Sequence, residues 1–162
     1  MNIDDVLNKI KNMLLSFGLI EKQLGLYTNY VRGHSHCIPR YIDGLGFLIK
    51  YAKSEEDAIK YFHEDGDHFP IKLGEDAILA GIRTDIMNNV PYCGIVELGF
   101  NDDYYSNAIT IFCKDGQKLI GKLDTCTSHF DNEPDGESII IETAAGTLIE
   151  IYTDEIESIE LL

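Results

Sequence analysis

Two short stretches hold four of the five histidines. Gly33-His34-Ser35-His36-Cys37 alternates two imidazoles and follows them with a thiol, and His63-Glu64-Asp65-Gly66-Asp67-His68 adds two more imidazoles and three carboxylates. Nitrogen, thiolate and carboxylate donors suit zinc, and alternate residues of a strand share one face. His34, His36, Cys37, His63 and His68 are the candidate metal set, and a metal-binding enzyme or sensor built on these clusters is one reading of the chain. The spacing meets none of the zinc signatures, and histidines beside glycine and serine also read as surface loops.

Other chemistry is less well supplied. A calcium loop starting at Asp65 needs oxygen ligands at alternate positions and a bidentate glutamate at the twelfth. The run His68-Phe69-Pro70-Ile71-Lys72-Leu73 offers few oxygens and the twelfth residue is Asp76, so Asp65-Gly66 reads as a turn that closes a helix. Asp124-Thr125-Cys126-Thr127-Ser128-His129 sets a thiol near an imidazole and a carboxylate, but nearness along the chain is not the geometry that nucleophilic catalysis requires. There is no Gly-x-Ser-x-Gly, phosphate loop or Gly-x-Gly-x-x-Gly. The expectation is a protein that is not an enzyme and uses no cofactor.

Charge supplies the second candidate. The formal net charge is −15, and it is unevenly placed. Residues 1–96 hold 13 Asp+Glu against 10 Lys+Arg, a net of −3, whereas residues 97–162 hold 15 against 3, a net of −12. A field of that sign repels phosphate backbones and disfavours nucleic acid as a partner. It accelerates encounters with basic proteins; the same acidity also serves solubility alone. Two loops concentrate it: Asn101-Asp102-Asp103-Tyr104-Tyr105-Ser106, and the run from His129 to Glu137. Tyrosine offers contact area with a polar tip, and carboxylates steer. Asp102, Asp103, Tyr104, Tyr105, Asp131, Glu133 and Asp135 are the candidate partner-binding residues. With these residues, its small size, its acidity and its lack of catalytic motifs, the chain resembles the bacterial immunity proteins of toxin systems. The resemblance implies a cytoplasmic protein that neutralises a basic toxin, such as a nuclease, by direct contact through an acidic surface.

The elements that must carry these residues follow from periodicity. The 162 residues are 44% hydrophobic, enough for a core and in keeping with one domain. No apolar run approaches the 18 residues of a membrane span. The start Met1-Asn2-Ile3-Asp4-Asp5 lacks the basic and apolar regions of a signal peptide, so the cytoplasm is expected. Cys37, Cys93, Cys113 and Cys126 form no Cys-x-x-Cys pair and read as free thiols.

Ile3, Val6, Leu7, Ile10 and Leu14 predict a helix over 3–16. Residues 19–44 fit no single period, and Gly33, Pro39, Asp43 and Gly44 read as turns. A strand is expected over 45–52, then a helix from the N-cap Ser54 to about His63 that buries Ala58, Ile59 and Phe62. A third helix is expected over 75–88. From residue 92 the period becomes that of strands, expected at 93–100, 107–113, 118–126, 137–143, 147–152 and 156–161. The fold class is therefore α+β. A helix-rich half over 1–92 carries one or two strands, and an antiparallel half over 93–162 forms a small barrel or a strongly bent sheet.

Ile109, Ile111, the turn Lys114-Asp115-Gly116-Gln117, then Leu119, Gly121 and Leu123 resemble the start of an Sm-like small β-barrel. There a mid-strand glycine lets a strand bend sharply, as Gly121 would. The chain departs from that family where its RNA-contacting residues should lie, in Thr125 to Asn132 and in Thr153-Asp154-Glu155. The resemblance implies geometry, not RNA binding.

Overall fold

A computed structural model describes residues 1–60, 66–129, 131–133 and 135–162, with Asp102 described by its backbone alone. The chain gathers into two units, Met1–Val90 and Pro91–Leu162. Phe62, His63, Glu64 and Asp65 lie outside the described residues, and so does the end expected for the second helix.

The N-terminal unit opens with α1 (Ile3–Ser16). The Asn2 side chain accepts the Asp5 N–H, Asp4 and Asp5 lie in the first turn, and Val6, Ile10 and Leu14 are buried. This is the expected helix, with its cap and dipole satisfied. An antiparallel meander follows: β1 (Ile20–Leu24), β2 (Tyr27–Arg32), β3 (Ser35–Ile42) and β4 (Gly46–Ala52), in that order across the sheet. The sequence suggested one or two strands here, and there are four. The missing signal has a physical cause. Ile38 of β3 clusters with Leu24 and with Ala58 of α2 (Glu55–Lys60) on one face. On the other, Cys37 lies opposite Tyr51, whose hydroxyl reaches Asp85 on α3 (Glu75–Asn89). A strand covered on both faces, as β3 is, loses the alternation that marks a half-buried strand; β1 is instead an edge strand exposed at four of its five residues.

Pro39 is likewise inside β3 and not in a turn. The β2–β3 ladder ends at Tyr30–Cys37, so no bond to β2 is lost for want of the proline N–H. Ser54 caps α2 as expected, its Oγ accepting the Asp57 N–H at 3.1 Å. Lys9 of α1 also pairs with Glu75 of α3.

In the C-terminal unit the stretch expected as a strand over 93–100 is instead a short helix, α4 (Cys93–Glu97). Ile95, Val96, Leu98 and Phe100 suit either period, and the tertiary structure decides. Tyr92 adopts the left-handed conformation at φ 64°, and the buried Glu137 carboxylate accepts the Ile95 N–H at 2.9 Å. That bond satisfies one of the N-terminal donors a helix leaves unpaired.

The remaining strands fall where expected: β5 (Ala108–Cys113), β6 (Lys118–Thr127), β7 (Ser138–Glu142), β8 (Leu148–Tyr152) and β9 (Ile156–Leu161). They form one antiparallel sheet in the order β8-β7-β6-β5-β9. β6 is shared: its Lys118–Lys122 run pairs with β5 and its Lys122–Thr127 run with β7. The corner is marked by an irregularity between Leu123 and Thr125 and by Gly121, where an added Cβ would stand 2.8 Å from the Glu142 carbonyl. Ile109, Ile111, Leu123, Cys126, Ile139, Ile141, Ile151 and Ile159 line the concave side with Ile95 and Phe100.

β8 and β9 are opposite edges, yet only the 3-10 turn Thr153–Glu155 joins them. A flat five-stranded sheet would hold its edges about 19 Å apart, and the connection reaches at most about 14 Å even when extended. The sheet is therefore strongly bent. No ladder joins β8 to β9, so it is not a closed barrel.

Gly121→Val should destabilise the chain by about 1–3 kcal/mol through this close approach, read as a lower urea midpoint at unchanged slope. Ile120→Val, on the open convex face beside it, should cost less than about 0.5 kcal/mol.

Candidate functional site

The metal candidates are not brought together. His34 is exposed in the β2–β3 turn. His36 and Cys37 are neighbours on β3 and point to opposite faces. Cys37 is fully buried, and the His36 Nδ1 lies 3.0 Å from the Asn29 amide nitrogen. His68 precedes Phe69, which bridges to Phe47 of β4. His63 lies outside the described residues. Among the described residues no three His, Cys, Asp or Glu side chains converge as a metal would need. The Cys126 thiol is buried among the core side chains around Ile139 and presents no nucleophile.

Among its described residues the N-terminal unit holds a perturbed carboxyl, Asp85 on α3, which the sequence reading passed over. It is 8% exposed, accepts the Tyr51 hydroxyl at 2.9 Å and lies beside Asn89. Burial pushes its pKa above the ordinary 3.8; the Tyr51 hydrogen bond opposes this, and nearby Asp67 adds to it. Its position in an apolar helical stripe, where Ile82 and Ile86 are also buried, was the available signal.

The acidic loops belong to the C-terminal unit. In Asn101–Ser106 the Asn101 side chain accepts the Asp103 N–H at 2.9 Å and opens a 3-10 turn, Asp102–Tyr104. Asp103 is exposed. Tyr104 and Tyr105 are not free to splay outward. Both rings meet Phe100 edge-on, at 6.3 Å and 5.6 Å, and Tyr104 packs against the core. The second loop is pinned as well. Ser128 Oγ donates to Asp131 at 2.8 Å, and Asn132 Nδ2 donates to Ser138 Oγ, which donates on to Glu150, each at 2.8 Å. Asp131, Glu133 and Asp135 are exposed on this scaffold.

The two loops flank one strand. Ser106 donates to the Leu123 carbonyl, and the second loop leaves β6 after Thr127. The intervening run of β6 spans about 13 Å.

The charge reaches further than these loops. The Tyr152 phenol is pushed up by burial and by Glu150, Asp135 and Glu155. The Tyr92 phenol is raised by burial and by Cys126, Asp131 and Glu137. Burial also raises the Cys113 thiol, helped by Asp115 and Glu155. Glu150 and Glu155 extend the acidic surface and were not picked out from the sequence. Alternation with Ile149 and Ile151 was the signal that turned Glu150 outward. Among the described residues Lys114, Lys118 and Lys122, the only lysines of the unit, form no ion pair with these carboxylates.

A groove of 330 Å³ lies in the same unit, lined by Leu119, Ile149, Ile151 and Cys113 and rimmed by Asp115 and Glu155. No family model matches the sequence, and no curated protein or solved structure matches the chain.

Asp85 gives a pH test. Its folded carboxyl holds the proton more tightly than the unfolded one, so stability is lost as pH rises through the raised pKa. Asp85→Asn should remove that loss. Urea unfolding at pH 4 and pH 8 should show the variant gaining on the wild type at the higher pH; parallel shifts at both pH values would contradict it.

Proposed function

We propose that the chain is an immunity-type antagonist whose C-terminal unit binds a basic protein, a toxin domain such as a nuclease, and blocks it by direct contact. The observation that supports this reading is the segregated charge: a net of −12 over residues 97–162, with five of its carboxylates, Asp102, Asp103, Asp131, Glu133 and Asp135, on two loops held in place by their own hydrogen bonds. Carboxylates on a preorganised backbone raise the encounter rate with a basic surface, and the loops lose little backbone freedom on binding. Asp103, Asp131, Glu133 and Asp135 act in encounter and register, with Asp102 beside them in sequence. Tyr105 supplies apolar contact. Tyr104, packed on Phe100, fixes the loop more than it contacts a partner. The same charge makes RNA and DNA poor partners. No helix among the described residues is long and apolar enough to cross a membrane.

A panel of purified basic nuclease domains, tested by stopped-flow association at several salt concentrations, checks the reading. At least one member should bind with an on-rate that falls steeply with salt. The triple variant Asp131→Lys, Glu133→Lys, Asp135→Lys should slow it by about 10- to 100-fold at low salt. An unchanged on-rate in that variant, or no binding across the panel, would overturn the proposal.

A further inference from the structure

The two edges of the bent sheet are not equivalent. On β9 the Ile159 N–H already donates to the Leu98 carbonyl at 2.7 Å. The adjoining Gly99, at φ 107°, presses so close that a Cβ there would stand 2.5 Å from the Ile159 carbonyl. That edge is covered. Among the described residues β8 pairs only with β7.

The β8 ladder shows which groups stay open. Thr143 donates to Thr147 beyond one end of the paired run, and Thr153 donates to Glu137 beyond the other. With the register Ile141–Ile149 and Ile139–Ile151 between them, alternation turns the main-chain groups of Ile149 and Ile151 toward β7. Those of Leu148, Glu150 and Tyr152 turn away from the sheet. The Tyr152 N–H is taken by Glu155. The N–H and C=O of Leu148 and Glu150 remain as a template for another strand.

Beside this edge lies the 330 Å³ groove. Ile149 and Ile151 of β8 form one wall, and Cys113, Leu119 and the Lys114–Gln117 turn form the other. Its charged lining is Asp115, Glu150 and Glu155 against Lys114. Side chains opposite Ile149 and Ile151 on an added strand would enter an apolar slot, and those opposite Leu148 and Glu150 would emerge on an acidic face.

We propose that the β8 edge and its groove accept an extended peptide segment as a sixth strand, with apolar residues entering the groove and lysine or arginine alternating with them on the Glu150 side. Main-chain bonds to Leu148 and Glu150 hold the segment, the slot selects its apolar residues, and the carboxylates select its charge. The proposal shares the sign of the partner's charge with the antagonist reading and borders its surface, since Asp135, Glu150 and Glu155 all lie around Tyr152; it differs in binding through the main chain of β8 and not through the carboxylates of Asp131, Glu133 and Asp135.

The register specifies its own test. The added strand runs antiparallel to β8, so residues bonded to Leu148 and Glu150 share their face, and in a peptide of alternating lysine and valine the lysine amides point at β8 and the valine amides point away. A fluorescein-labelled peptide of this pattern, read by anisotropy against the full chain, should bind. N-methylation of the lysine amides should weaken binding by about tenfold or more, and N-methylation of the valine amides by less than about threefold. Glu150→Pro removes the open N–H at a position where β7 takes no bond, and should weaken binding by about tenfold. Glu150→Gln isolates the charge and should cost less than about threefold. If Glu150→Pro does not fold, judged by circular dichroism, the two methylated peptides decide.

Absence of binding, equal affinity for the two methylated peptides, or full affinity in folded Glu150→Pro would each overturn the proposal. So would a concentration-dependent dimer that protects the Leu148 and Glu150 amides without peptide, because a second copy would then hold the edge. The triple lysine variant of the acidic loop should still bind the peptide. If it does while no basic nuclease domain binds the wild type, the antagonist reading fails and the strand-edge site stands.

Discussion

A three-residue connection between opposite edges of a five-stranded sheet is the constraint on which the C-terminal unit depends. Thr153–Glu155 can join β8 to β9 only if the sheet curls until its edges approach. Curling needs a corner, and β6 provides it where its pairing passes from β5 to β7. A side chain at Gly121 would meet the Glu142 carbonyl and the Ile141 side chain across that corner. Curvature then encloses isoleucines from β5, β7, β8 and β9 with Leu123 and Cys126 of β6 within one small unit. A sheet of this size could not bury them when flat without a second layer.

The same curvature shapes the surface. The edges draw together without pairing, which leaves a slot between β8 and the β5–β6 turn. Leu98 and Gly99 cover the β9 edge, and β8 stays open. The buried Glu137 belongs to the same arrangement. From the start of β7 it receives the Ile95 N–H and so ties α4 over the concave face. A carboxylate that deep is tolerated because hydrogen bonding to it offsets part of the cost of burial.

The acidic loops are ordered by short-range bonds from asparagine and serine, not by salt bridges. Asn101 and Asn132 act as loop caps, and Ser128 and Ser138 link the second loop to itself and to Glu150. Exposed negative charge is thereby held on rigid backbone without being neutralised. That arrangement costs stability through self-repulsion and favours encounter with an oppositely charged body.

The sequence by itself determined the elements whose signals are local. α1 and α3 were legible from helical spacing and the residues that stop them, and β5 to β9 from alternation broken by Asp-Gly and Ala-Gly turns. The placement of the charge was legible too, because counting residues needs no geometry. Tertiary structure decided wherever two periods fitted or none did. β3 was hidden because helices cover both faces of its part of the sheet, and β1 because it is an edge strand exposed at four of its five residues. Residues 93–97, expected within a strand, form a helix whose Ile95 N–H meets a carboxylate 42 positions away. His36 and Cys37 were adjacent in sequence and separated in space, since a strand turns neighbours to opposite faces. The groove and the open β8 edge could not be read in advance, for each depends on contacts between residues far apart along the chain, which spacing alone does not encode; Asp85 stood out by its place in an apolar stripe, but its Tyr51 partner did not.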